Sequence, residues 1–458
     1  MDFSSANTSL WSAIIQLGII AATILVANVL RRKIPFIRRT LMPTAVLGGF
    51  LLLVVRNTNL MEIDTTFLEM ITYHCIAIGF IALSLRVPSP DKDGSTDSLT
   101  APKSGALIIS TYVIQGIMGL IITLGLAYTF MPNLFGAAGI LIPMGFGQGP
   151  GQANNVGGMY EALGFAGGRS FGLSIAASGY LCACIVGIAY LNWLVRKGKV
   201  KMQHYDEVEE SMSVDKFQDR NEIPVAESID RFSMQFALVL IVYLVTYLVL
   251  LGLTNLISSV APGLSSTLEP LLWGFNFIVG ALMAIMLRVV FKNLRKTKMM
   301  TRQYQNNYLL SRISGLAFDV MIVAGIASID IIDLSGLWVP FVLMSIAGGV
   351  GTFYWLKWIC KEIYPGYFYE GMISMYGMLT GTISSGVLLL REIDPEFDTP
   401  AANNLLTGSS FAIVMGAPML LLIGLAPVSQ LMTFLTLGLL IIYLIPLLLF
   451  LFKAKVKS

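Results

Sequence analysis

Long apolar segments separated by short polar loops dominate the hydrophobic pattern of this 458-residue chain. A helix that crosses the hydrocarbon core of a bilayer needs about 20 predominantly apolar residues. Eleven segments are predicted to be such spans: Leu10–Leu30, Leu41–Val55, Phe67–Leu85, Gly105–Phe130, Phe171–Val195, Phe232–Leu256, Pro270–Leu287, Tyr308–Ile329, Leu337–Cys360, Leu406–Leu425 and Leu431–Phe452. The pattern therefore predicts an all-α integral membrane protein.

Two further segments, Gly136–Gly164 and Tyr369–Leu390, are interrupted by Gly, Ser, Thr and amide residues and are predicted to be re-entrant hairpins. Lipid cannot satisfy the backbone groups that such a broken helix leaves free, so the hairpins must be buried in protein or line a watery cavity. A concentration of backbone and amide dipoles at membrane depth indicates a path for a polar solute. A transporter is therefore the leading hypothesis.

The composition supports the membrane class. Hydrophobic residues make up 55% of the chain and charged residues only 12%, with a mean hydropathy of +0.75. Soluble domains carry about 25% charged residues. The N-terminus has no basic region ahead of its apolar run, so the first segment is predicted to be a retained span rather than a signal peptide. The four cysteines form no metal-ligand pattern.

The positive charges predict the orientation. Of the 30 Lys and Arg residues, all except Arg56 and Arg169 fall in or beside alternate loops. Cytoplasmic loops carry an excess of Lys and Arg. We therefore expect a multi-pass protein of the cell membrane, with its N-terminus outside and its C-terminus in the cytoplasm.

The chain divides into two halves of opposite predicted orientation. Residues 1–195 and 232–430 each contain four spans, a hairpin and another span, and the charged cytoplasmic linker 196–231 joins them. Opposed halves with one broken segment each are typical of inverted repeats, whose binding site lies where the repeats meet. We expect the two hairpin tips to meet there. Residues 431–458 form an extra span and a basic tail without a counterpart.

The first hairpin combines glycines with amide side chains. Glycine lets the backbone approach a ligand, the N-terminus of a half-helix attracts an anion, and unwound carbonyls suit sodium. Close packing through small residues is the alternative, and it explains the glycines but not the amides. The candidate substrate-binding residues are Gly147, Gln148, Gly149, Gly151, Gln152, Asn154 and Asn155.

The second hairpin adds hydroxyl groups that could bond a carboxylate or coordinate sodium, although Ser and Thr also pack helices in membranes. Its candidate substrate-binding residues are Thr380, Gly381, Thr382, Ser384 and Ser385.

Asp319 lies inside the predicted span Tyr308–Ile329. A charge at a helix centre costs about 2.5–3.5 kcal/mol and usually marks an ion or proton path. We predict sodium as the coupling ion, with Asp319, Thr380 and Ser384 as ligands, and no other cofactor. The alternative for Asp319 is a structural bond to a neighbouring helix. His74 is a candidate proton relay, and Gln115 and Asn276 are weaker polar candidates.

The order of these features resembles the sodium/glutamate symporter family. The residues that carry the resemblance are Pro43-Thr44-Ala45-Val46-Leu47-Gly48-Gly49, the Gly-rich first hairpin and the late Gly/Thr hairpin. The resemblance covers nearly the whole chain except the final span. It implies inverted five-span repeats, sodium-coupled uptake of an acidic amino acid such as glutamate, a homodimer and an elevator-type movement. The family has a Gly-Gly-His-Gly-Thr-type hairpin, whereas Gly145–Gln152 contains no histidine.

The expected function is a sodium-coupled symporter of an anionic amino acid or small carboxylate, not an enzyme. A proton-coupled carrier or exporter, with Asp319 as the proton site, is the alternative within transport. A channel suits inverted hairpins less well, and a membrane enzyme acting on lipids would need a carboxylate cluster or a nucleophile–base pair. No Walker A sequence is present, which argues against a primary pump. The expected partners are the solute, sodium and the bilayer, without nucleic acid.

Overall fold

The computed structural model describes residues 4–39, 41–58, 61–87, 99–200, 231–260, 262–300, 302–394 and 398–453. Most of the predicted linker 196–231 and the last residues of the basic tail lie outside these ranges. All the regular elements within them are helices.

Seventeen α-helices follow one another along the described chain. They are α1 (Thr8–Lys33), α2 (Pro35–Arg39), α3 (Thr44–Asn57), α4 (Thr65–Leu85), α5 (Thr100–Ala127), α6 (Pro150–Ala162), α7 (Gly168–Arg196), α8 (Arg231–Val260), α9 (Pro262–Gly274), α10 (Asn276–Lys296), α11 (Asn307–Ala327), α12 (Trp338–Ile363), α13 (Phe368–Thr380), α14 (Ile383–Arg391), α15 (Ala401–Met415), α16 (Ala417–Leu425) and α17 (Gln430–Lys453). A 3-10 turn (Gly136–Ile140) and a π-helical turn (Pro143–Gly147) lie between α5 and α6.

The multi-pass membrane class is confirmed. Among the described residues, nine helices are long and apolar enough to cross a membrane, or ten if the bent pair α15–α16 is one span. The predicted span Leu41–Val55 has no helix of that length, because α3 contains only 14 residues. At 1.5 Å per residue it is about 21 Å long, shorter than the hydrocarbon core of about 30 Å.

Two predicted spans differ in shape from a straight helix. The segment Pro270–Leu287 is divided at Phe275, where α9 ends and α10 begins, and α10 then continues to Lys296. The segment Leu406–Leu425 bends by 56° between α15 and α16. Apolar content alone predicts that a segment lies in the bilayer but does not predict where its helix breaks.

The chain forms two compact units. The first contains Met1–Glu69, Ser95–Tyr205 and Ile322–Ser458, and the second contains Met70–Gly94 and Asp206–Met321. Each unit draws helices from both predicted halves. Both predicted hairpins belong to the first unit.

The first unit is built around α5, most of which is buried. Glycines let other elements approach this helix closely. A methyl group at Gly119 would overlap the carbonyl oxygen of Gly139 in the 3-10 turn, and one at Gly105 would lie 2.6 Å from Cβ of Phe411 on α15. The entry into the first hairpin is therefore fixed by backbone-to-backbone contact with α5.

The second unit has its own apolar core. Ile81 on α4, Val239 on α8, Ala284 on α10 and Ile313 on α11 are among the buried residues of one cluster. Side chains also satisfy carbonyls at the end of α4 and in the residue that follows it, which have no partner within the helix. The guanidinium of Arg288 donates to the carbonyls of Ser84 and Arg86, and the amide of Gln305 donates to the carbonyl of Leu85.

We expect Gly119→Ala to destabilise the protein, since the added methyl group has no space beside Gly139. Overpacking of this kind costs about 1–3 kcal/mol. Gly125→Ala on the same helix is the control, because nothing lies within 4 Å of its added Cβ. Thermal unfolding of both purified variants in detergent measures the difference. A Gly119→Ala variant as stable as Gly125→Ala would contradict the close crossing.

Candidate functional site

The first hairpin breaks at Gln148 and Gly149. The π-helical turn ends at Gly147, and α6 begins at Pro150, which suits the first position of a helix because it needs no N–H partner. Gly149 has φ +92° and ψ −174°, a conformation open almost only to glycine. The sequence Gly149-Pro150 thus turns the chain and starts a new helix within two residues.

The second hairpin breaks at Gly381 and Thr382. Helix α13 ends at Thr380, and α14 begins at Ile383. The two helices pack against each other through glycines: a methyl group at Gly377 would lie 2.8 Å from Cα of Gly386. This segment is therefore a closed helical hairpin.

The tips of the two hairpins meet, as the sequence predicts. A methyl group at Gly149 would lie 3.7 Å from Cγ2 of Thr382 and 3.8 Å from the carbonyl oxygen of Gly381. These residues precede the starts of α6 and α14, so two half-helix N-termini face one region. Neither start is capped by a side chain.

Three buried side chains from other helices surround the tips. Tyr112 on α5 donates a hydrogen bond of 2.9 Å to the carbonyl of Gly147. Gln115, one turn further along, donates to the carbonyl of Leu379 and to the hydroxyl of Thr352, both at 2.9 Å. The hydroxyl of Tyr180 on α7 lies 3.7 Å from a methyl group placed on Gly149. In each hairpin, we call the segment before the break the incoming limb. Helix α5 thus donates a hydrogen bond near the end of both incoming limbs.

Several polar atoms at the tips are buried without a hydrogen-bond partner among the described residues. They are both amide atoms of Gln152, Oδ1 of Asn154, Oε1 of Gln115, and the hydroxyl oxygens of Thr382 and Ser385. Leaving one buried polar group unpaired costs about 1–3 kcal/mol. Such a concentration is therefore expected to bind a polar ligand or water.

Most candidate residues of the first hairpin are buried, and only Gln148 is half-buried. In the second hairpin, Ser385 is buried with its hydroxyl oxygen 2.9 Å from a methyl group placed on Gly381, whereas Ser384 is exposed. The hydroxyl of Thr380 donates to the carbonyl of Tyr376 within α13.

The predicted sodium ligands fall in different units. Thr380 and Ser384 belong to the first unit, and Asp319 is an exposed residue of the second. Within the described ranges, no group of three or more His, Cys, Asp or Glu side chains could hold a metal ion. The sodium site remains a prediction.

The sequence pattern does not distinguish the two tyrosines as site residues, and it indicates Gln115 only as a weak polar candidate. Tyrosine is common in membrane helices, so nothing along the chain distinguishes Tyr112 and Tyr180. Gln115 did give a signal, since it is a polar residue in an apolar helix. Its importance depends on the contact with Leu379, which lies 264 positions away in the sequence.

An ion-pair cluster holds the far end of the first hairpin. Arg169 lies 2.5 Å from the Glu69 carboxylate and 3.2 Å from that of Glu161, the next-to-last residue of α6. Burial raises the pKa of the Glu161 carboxyl, and the Arg169 backbone N–H and guanidinium oppose that shift. Arg56 pairs with Asp330 at 3.6 Å. Both basic residues outside the predicted cytoplasmic loops are thus engaged by acids.

The position of Gln115 generates a prediction. Gln115→Leu should destabilise the protein by about 1–3 kcal/mol, because the carbonyl of Leu379 loses its donor while remaining buried. Gln16→Leu on α1 is the matched control: Gln16 is also buried with an unpaired Oε1, and its replacement should cost less. Thermal unfolding in detergent compares the two variants. Equal stability of both would show that the bonds from Gln115 do not hold the second hairpin.

No protein-family model, curated protein or solved structure matches this chain. Its function is therefore inferred from the hairpin tips and from the membrane class of the fold.

Proposed function

We propose that this protein is a secondary transporter that binds a small anionic solute between the tips of the two hairpins. The observation that carries the proposal is the meeting of two uncapped half-helix N-termini beside buried, unpaired polar side chains. The first N–H groups of a helix have no partner within it, and the helix dipole adds positive potential there. An anion is the ligand that such a place binds best.

The side chains at the tips complement a carboxylate. Gln152 offers an amide N–H group, and the hydroxyls of Thr382 and Ser385 offer O–H donors. The unpaired oxygens of Asn154 and Gln115 can accept hydrogen bonds from an ammonium group of the same solute. An amino acid with an acidic side chain supplies both kinds of group. The resemblance to the sodium/glutamate symporters favours the same class of solute.

Sodium is the proposed coupling ion. The incoming limbs end in carbonyl groups at Gly147 and Thr380, and the C-terminal ends of half-helices coordinate sodium in other transporters with broken helices. Thr380 and Ser384 in the first unit and Asp319 in the second are each proposed to bind sodium. In the alternative, Asp319 carries a proton, and the protein is a proton-coupled carrier or exporter of another small carboxylate.

The proposed architecture has inverted repeats with re-entrant hairpins, an N-terminus outside the cell and a cytoplasmic C-terminus. The positive-inside bias supports this orientation. A homodimer and an elevator-type movement follow from the family resemblance and complete the proposal.

We expect Gln152→Ala and Asn154→Ala to weaken solute binding by about tenfold or more. Removing a hydrogen bond to a charged group costs roughly 1.5–3 kcal/mol. Binding is measured in detergent against acidic amino acids and dicarboxylates, with sodium or choline as the cation. Gln16→Ala is the control, since Gln16 is buried on α1 and none of the tip residues described above belongs to that helix. Unchanged affinity in both hairpin variants would move the site elsewhere, and equal affinity in choline would remove sodium coupling.

Asp319→Asn separates the two coupling hypotheses. The substitution retains the size and one carbonyl oxygen but removes the negative charge. If Asp319 binds sodium, the sodium dependence of uptake should weaken while the protein remains folded. If it carries a proton, solute exchange should persist while net accumulation is lost. Counterflow and gradient-driven uptake in the same proteoliposomes distinguish these outcomes, and wild-type sodium dependence in both assays would exclude the sodium role.

A further inference from the structure

One face of α11 is exposed between Arg312 and Asp319, the two charged residues at its ends. Arg312, Gly315, Leu316 and Asp319 recur at the spacing of one helical face, and all four are exposed. Leu316 is 62% exposed, and nothing lies within 4 Å of a methyl group placed on Gly315. We call these four residues the α11 stripe. Open space therefore lies beside the helix one turn before Asp319.

The opposite face of α11 packs into the core of the second unit. Leu310 and Ile313 belong to the buried cluster. The ring of Phe318 lies against Gly79 on α4 and 5.5 Å from the ring centroid of Phe80. The α11 stripe thus faces away from the core of its own unit.

The exposure ends abruptly after Asp319. Every residue from Met321 to Ser328 is buried. Asp319 lies twelve residues after Asn307, the first residue of α11, or about 18 Å along the helix axis at 1.5 Å per residue. That is about the middle of a hydrocarbon core roughly 30 Å thick. The stripe is therefore open at one end and closed near the midplane.

A carboxylate in this position requires a polar environment. None of the ion pairs among the described residues includes Asp319. Acidic residues within membrane helices face a bundle interior or a water-filled cavity, because contact with lipid is costly. No protein atom lies within 4 Å of a methyl group placed on Gly315, so protein does not cover the helix surface one turn before Asp319.

The other ionisable residue of the stripe lies at its open end. The guanidinium of Arg312 is 5.0 Å from the centroid of the Tyr308 ring, to which it is attracted. A cation that passes Arg312 then meets Asp319 as the only acid on the stripe.

We propose that a water-filled path follows the α11 stripe from the membrane surface at which α11 begins, ends at Asp319, and delivers a monovalent cation to that carboxylate. This inference deepens the proposed sodium coupling and concerns only the route to Asp319. It does not depend on the anion site at the hairpin tips. In each state of an alternating-access cycle, the site of the coupling ion is open to only one surface of the membrane.

Thiol labelling tests the water path without any transport assay. Leu316→Cys and Leu244→Cys are made in the full chain with its four cysteines replaced by serine. The two leucines are 62% and 58% exposed on α11 and α8, and each lies near the middle of its helix. Only a thiol in contact with water ionises and meets a charged, membrane-impermeant methanethiosulfonate reagent.

We expect Leu316→Cys to react at least about tenfold faster than Leu244→Cys, the change in thiolate fraction that one pKa unit produces. Reagent should act only from the surface at which α11 begins, which is tested with sealed vesicles of both orientations. Gly315→Cys is the second variant, since its side chain enters open space. Slow labelling of both stripe thiols would show that lipid or a second copy covers the stripe and would overturn the path.

Comparing labelling rates in sodium and in choline tests whether a cation binds at Asp319. Replacing choline by sodium should slow the labelling of Leu316→Cys severalfold, and the effect should disappear when Asp319→Asn is added. Labelling that ignores sodium, or that sodium slows equally in the double variant, would overturn cation binding at Asp319. Loss of solute binding at the hairpin tips would leave each of these results unchanged, so the two proposals fail separately.

Discussion

The structure depends on one constraint, which is that backbone N–H and C=O groups at membrane depth must find partners inside the protein. Each break ends one helix and starts another, so carbonyls and N–H groups are left without helical partners at the same place. Tyr112 and Gln115 satisfy the carbonyls of Gly147 and Leu379. The N–H groups at the starts of α6 and α14 have no side-chain cap. A ligand that brings negative charge would complete this arrangement.

Close packing buries the two breaks inside the protein, because glycines let neighbouring helices approach them. A methyl group at Gly145 would lie 2.7 Å from the backbone nitrogen of Ala176, and one at Gly172 would lie 2.7 Å from the carbonyl of Ala153. Both contacts involve α7, so this helix holds the limbs on either side of the first break. Gly145 therefore serves helix packing, whereas Gly149 forms the break at the tip. The two interpretations of glycine apply to different positions of one hairpin.

Local features of the hairpins could be predicted from sequence, because Gly, Pro, amide or hydroxyl residues interrupt the apolar pattern at both hairpin breaks. Gly149 with Pro150 is such a signal. The sequence does not show which face of a short helix is buried. Ser384 is exposed and Ser385 is buried. Which of the two is buried depends on where α14 begins, at Ile383. The apolar run continues through Phe275, so the pattern does not predict the helix break there. The contact from Gln115 to Leu379 joins distant parts of the chain, and no local pattern reveals it.

The segments 136–160 and 371–390 contain no Lys, Arg, His, Asp or Glu. Oriented N–H groups, amides and hydroxyls therefore provide all the potential that these segments can apply to a ligand. Unlike a basic side chain, such dipoles neither gain nor lose protons across the physiological range. The electrostatic potential that these segments apply to a bound anion would therefore be the same at acidic and at neutral pH. Any change in affinity between those conditions would then reflect the ionisation of the solute itself, or of groups outside the tips.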